Sequence, residues 1–170
     1  MVEMQLVAVR VELPTNTPVI LLQEMGGDER TLPIFVGTPE ATAIAYALQG
    51  VVTPRPMTHD LIRDLLAAGD IEVLGVVITE LRGSTYFAEL NLRQGARSFS
   101  VSARPSDAIA LAARTAAPIY ADDELVETEG VVVDTGESDL EDESPEELVS
   151  QFREFINEVS PEDFSPGSQG

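Results

Sequence analysis

The chain has 170 residues, 44% of them apolar, and no cysteine, which suits one domain with a real core and excludes disulfides and thiolate metal sites. No apolar run approaches the ~20 residues of a membrane-spanning helix, and no early stretch joins a basic start to an apolar run and a small-residue cleavage site. The expected setting is therefore cytoplasmic, with no membrane partner. Formal net charge is −20, from 30 acidic residues against 10 basic ones, all arginine, and such a chain carries no basic stripe of the kind that neutralises a phosphate backbone.

The elements follow in order. Met4, Leu6 and Ala8, then Val9, Val11 and Leu13, alternate with opposite-face residues as a strand does. "PVILLQEM" (18–25) predicts a second strand, and the turn "GGDER" leads to a third, "TLPIFV" (31–36). In "GTPEATAIAYALQG", Thr38 is the expected N-cap, Pro39 suits the first helical position, Glu40 favours the first turn and Gly50 the stop. A second helix is expected from Thr58 to Gly69, with Leu61, Ile62, Leu65 and Leu66 on its apolar side. Period two then returns in 71–81, 85–92 and 97–103, before a third helix over 104–118 and a short strand, "IYA" (119–121). Strands in blocks of three predict an α+β fold, with an antiparallel or mixed sheet of six to seven strands and two to three packed helices.

The charge divides the chain. Residues 1–120 hold 13 acids and 9 arginines, whereas residues 121–170 hold 17 acids and only Arg153. The expected organisation is a domain over 1–126, an acidic linker over 127–143, an amphipathic helix over 144–159 and a disordered tail over 160–170. That helix opens with a capping box, Ser144-Pro145-Glu146-Glu147, and aligns Leu148, Phe152, Phe155 and Val159 on one face. It is expected to dock on its own domain or on a partner. "VGTPEATAIA" (36–45) and "VSARPSDAIA" (101–110) also echo each other, each running from a strand end through a proline into a helix.

The residues with chemistry to offer lie at the helix starts. In "TPRPMTHDL" (53–61) flanking prolines stiffen Arg55, and His59 and Asp60 enter the first turn of a helix, where free N–H groups attract anions. Adjacent helical residues do not face each other, so Asp60 cannot orient His59 as the acid of a local triad would. Asp60 is instead expected to complement the helix dipole and to pair with Arg63 at i+3. Glu40, Asp60 and Asp107 each sit at a helix start, and Arg55 and Arg104 each precede a proline. On one rim, these acids would hold a divalent metal and the arginines would grip phosphate oxygens.

Together, "LPIFVGTPEATAIAYALQG", "PRPMTHDLIRDLL" and "ARPSDAIALAAR…PIYA" resemble the bifunctional nuclease domain family of bacteria and plants, and "VSPEDF" (159–164) is similar to the ending of actinobacterial members. The resemblance covers about residues 4–130. It implies an α+β domain that self-associates and hydrolyses both DNA and RNA. It places the family's recurrent polar positions at Glu40, Arg55, His59, Asp60, Arg104, Ser106 and Asp107. Many members carry aspartate where this chain has Ser102. The expected activity is a metal-assisted nuclease: Glu40, Asp60 and Asp107 hold Mg²⁺ or Mn²⁺, and His59 acts as general acid or base. Arg55, Arg104 and Ser106 bind substrate, with no organic cofactor. The alternative is a non-catalytic module whose rim holds a ligand or protein.

Overall fold

The period-two stretches at the two ends of the domain each fold into a three-stranded antiparallel meander. In the computed structural model, which describes residues 1–132, the first meander is β1 (Val2–Glu12), β2 (Thr17–Glu24) and β3 (Thr31–Phe35). α1 (Thr38–Leu48) and α2 (Thr58–Ala68) follow. The second meander is β4 (Ile71–Arg82), β5 (Thr85–Gln94) and β6 (Arg97–Ala103), followed by α3 (Pro105–Thr115), β7 (Ile119–Ala121) and α4 (Asp123–Glu129). The short β7 runs antiparallel to β1 and parallel to β4, joining the meanders into one seven-stranded mixed sheet of order β3-β2-β1-β7-β4-β5-β6. The fold is α+β, as its strand blocks predict. None of the helices among the described residues is long and apolar enough to cross a membrane.

The sequence echo now has a structural counterpart. α1 leaves the sheet from edge strand β3 and α3 from the opposite edge strand, β6. Each helix carries a proline in its first two positions, where a missing N–H costs nothing. Ile20, Leu22, Leu32, Ile34, Val76 and Ile78 from the strands meet Ile44 of α1 and Ile109 of α3 in a single core. α3 is the most enclosed helix: Ala108, Ile109, Ala110, Leu111 and Ala112 are all buried. Its alanines let the helix backbone come close to the sheet, so Ile109 supplies much of the volume on that face. Ile109→Ala is expected to cost about 2–5 kcal/mol, read as a lower midpoint in urea with an unchanged slope.

Three local readings are corrected. α1 begins at Thr38 and α2 at Thr58, so the N-caps are Gly37, one residue before the expected Thr38, and Met57, one residue before the expected helix start, and neither threonine caps its helix with a side chain. At α2 the Asp60 side chain takes over, accepting the Met57 N–H at 3.1 Å. The third difference is α4, which occupies residues read in part as linker. Asp122 caps it by accepting the Glu124 N–H at 3.0 Å, and Leu125 and Val126 enter the core. Beyond it Val131 pairs with Thr31 through two backbone bonds of 2.8 and 2.9 Å, so the fold continues past residue 126. The expected helix at 144–159 and the tail after it lie outside the described residues.

Candidate functional site

The three acidic helix starts share one position. Glu40, Asp60 and Asp107 are each the third residue of their helix, where a side chain can reach back to the unpaired N–H groups of the first turn. Two of the three also meet across helices. Arg104, the N-cap of α3, donates to Asp107 at 2.6 and 2.9 Å. It also pairs with Glu40 of α1 at 3.0 Å. On its other side Asp107 lies 3.1 Å from His59 Nε2 on α2. A continuous line of contacts, Glu40–Arg104–Asp107–His59, thus ties together the N-terminal ends of α1, α3 and α2.

The members of this line differ in access. His59 is buried, at 8% exposure, while the Arg104 side chain is 65% exposed. A carboxylate can only accept, so in its contact with Asp107 the His59 Nε2 is the donor, and Nδ1 is the ring nitrogen that this contact does not use. The Arg104 guanidinium holds the Asp107 carboxyl below the usual carboxylate range, against a partial opposing effect of burial and with help from His59. The same contacts raise the Arg104 pKa further, so it stays cationic at any working pH.

Asp60 follows a different course. It pairs with Arg114 of α3, whose Nε donates to Oδ1 at 2.6 Å, and not with Arg63, which pairs with its neighbour Asp64 at 2.7 Å. Arg114 depresses the Asp60 pKa, and the Met57 N–H adds to the effect. Arg114 is the site residue that local spacing cannot reveal, because its partner lies 54 positions away. The signal was the arginine ending "AIALAAR", a charge at the close of an otherwise apolar run.

Both Asp60 and Asp107 are therefore more acidic folded than unfolded. Their contribution to stability is complete above the unfolded carboxylate range and is lost as pH falls through their depressed folded values. Thermal denaturation from pH 6 down to about pH 3 is expected to show a falling midpoint. Asp60→Asn should make that acid limb shallower than in the wild type.

The remaining expected residues divide. Arg55 stands exposed on the α1–α2 loop, its carbonyl accepting from Thr53 Oγ1 at 2.6 Å, and it forms no ion pair among the described residues. Ser106 is buried in the first turn of α3. Ser102 is exposed on β6, opposite Glu89 of β5. The expected metal trio does not assemble: among the described residues, no three His, Cys, Asp or Glu side chains gather to hold an ion. The physical reason is plain. Arg104 already occupies the space between Glu40 and Asp107, and Asp60 is turned to Arg114. As arranged, these residues do not fit a divalent metal.

The chain is similar in sequence to proteins of one family. The sequence profile of the family described as "Bifunctional nuclease domain" matches residues 19–134. An uncharacterized protein of Mycobacterium tuberculosis is 44% identical over 163 residues, covering 95% of this chain and 97% of its own length. "Bifunctional nuclease 2" of Arabidopsis thaliana is 34% identical over 130 residues, covering 73% of this chain but 40% of its own length. "Bifunctional nuclease 1" of the same plant is 29% identical over 123 residues, covering 70% and 38%.

Proposed function

The chain belongs to the bifunctional nuclease domain family, and from that premise we propose that its rim hydrolyses phosphodiester bonds in DNA and RNA. The observation that carries the reading is the 3.1 Å contact between His59 Nε2 and Asp107. A carboxylate at one imidazole nitrogen fixes ring and tautomer and stabilises the cation that forms when the other nitrogen takes a proton. His59 Nδ1 accepts a proton from water as the water oxygen bonds to phosphorus. The phosphorus–oxygen bond to the leaving sugar breaks, and the proton ends on that oxygen. Arg104 and Arg55 bind the phosphate oxygens, and the convergent helix N-termini add to the field that receives them. No step is assigned to a metal, because Glu40, Asp60 and Asp107 do not form a ligand set.

One observation favours the second reading, a non-catalytic anion-binding module: Arg104 is held between Glu40 and Asp107. In that reading the rim exchanges these carboxylates for a ligand's, and no bond is broken. The two readings separate with purified full-length protein on labelled single-stranded DNA and RNA, in buffer with Mg²⁺, Mn²⁺ or EDTA. Hydrolysis supports the nuclease, and saturable binding without products supports the module. Activity equal in His59→Gln would remove the proposed site. Self-association, the family's other implication, has an apolar surface to draw on in the exposed Leu61, Ile62 and Leu65 of α2, and sedimentation measures it.

A further inference from the structure

We infer that Arg114 is a positioning residue for His59: it clamps the first turn of α2 to α3 through Asp60, and so sets the contact between His59 and Asp107. The inference rests on the nuclease reading only for its kinetic consequence, since the clamp itself is a matter of geometry.

Asp107 and Arg114 lie seven residues apart on α3, two turns along one face and about 10 Å in rise. His59 and Asp60 are neighbours on α2, turned about 100° from each other around its axis. Each contacts a different one of the two α3 residues: His59 meets Asp107 at 3.1 Å, and Asp60 meets Arg114 at 2.6 Å. The start of α2 is therefore held at two separated points, which fixes both where it sits and how it is rotated. One point alone would leave rotation about the axis free, and that rotation carries the imidazole away from Asp107.

The clamp is itself rigid. The Arg114 side chain is 5% exposed, and its Nη1 donates to the Ala110 carbonyl one turn back, at 2.9 Å. Asp60 uses its second oxygen to accept the Met57 N–H at the helix cap. An enclosed pair anchored to backbone at both ends is costly to break by removing one partner, unlike an exposed surface pair. Apart from the half-buried Leu66 and the packing of the helix against β4, α2 has little else to hold it. His59 is its only buried residue, whereas Leu61, Ile62 and Leu65 are exposed. Hydrophobic packing that would otherwise seat a helix is sparse here, so the polar clamp carries the positioning.

His59 is the only histidine of the chain, so its imidazole gives an unambiguous NMR signal. The experiment records ¹⁵N-edited imidazole spectra and cleavage kinetics for the wild type, Arg114→Gln, Arg114→Lys and Asp107→Asn. Arg114→Gln is expected to lose the hydrogen-bonded Nε2 signature to the same extent as Asp107→Asn, with amide signals of the sheet unmoved. Arg114→Lys should restore it in part. Cleavage kcat should fall about tenfold or more in Arg114→Gln, with KM near the wild-type value. If Arg114→Gln does not fold, the Asp60→Asn/Arg114→Gln double variant removes the stranded charge and is read the same way. An unchanged His59 signature in either folded variant overturns the proposal. A changed signature in a protein whose wild type cleaves nothing leaves the clamp standing and sinks the nuclease reading instead.

Discussion

His59→Gln is expected to lower the rate of DNA and RNA cleavage about 100-fold or more, while nucleic-acid affinity stays near that of the wild type. Glutamine approximates the polarity of the imidazole and can still donate to Asp107, so the Arg104–Asp107 pairing has no cause to rearrange. What it lacks is a ring nitrogen that can take and return a proton. The loss should therefore appear in kcat and spare binding, the pattern of an interaction made only in the transition state. An equal loss of binding and cleavage would mean that His59 holds the rim together and does no proton transfer.

Arg104→Ala has the second large effect, and it falls on binding. The side chain is 65% exposed and stays cationic because Asp107 and Glu40 flank it. Removing it leaves those two carboxylates facing each other and any approaching phosphate. A hydrogen bond to a charged group contributes about 1.5–3 kcal/mol, so affinity for a short single strand should fall about 10- to 100-fold. Losing one phosphate contact should also reduce the slope of log affinity against log salt by about 1. Filter binding at several salt concentrations measures both. An unchanged slope would show that Arg104 serves only the Glu40–Asp107 bridge.

Much of the fold was legible because its signals are local. Alternation in β1 to β6, prolines opening α1 and α3, and glycines closing α1 and α2 each lie within a few residues of what they determine. β7 was readable as a strand, but its parallel pairing with β4 was not, since pairing depends on chain distant in sequence. α4 was missed for a compositional reason. Its acids resemble the tail that follows, and Leu125 and Val126 are too few to set a period. The site was half legible. Its residue types and helix-start positions stand in the sequence. Their pairing does not. Local spacing offered Asp60 to Arg63, yet the enclosed Arg114 competes better than an exposed neighbour can. Spacing also offered three acids for a metal, but nothing in it shows that Arg104, itself a helix cap, lies between two of them.

In the proposed mechanism the Glu40–Arg104–Asp107–His59 rim receives the phosphodiester. The most direct measurement follows the His59 imidazole and the Arg104 Nε signals by NMR as a short single-stranded DNA is added at low temperature. Both should shift together and saturate at one midpoint, and excess inorganic phosphate should compete. Cleavage by a protein whose His59 and Arg104 signals stay unmoved at saturating DNA would place the chemistry elsewhere on the molecule.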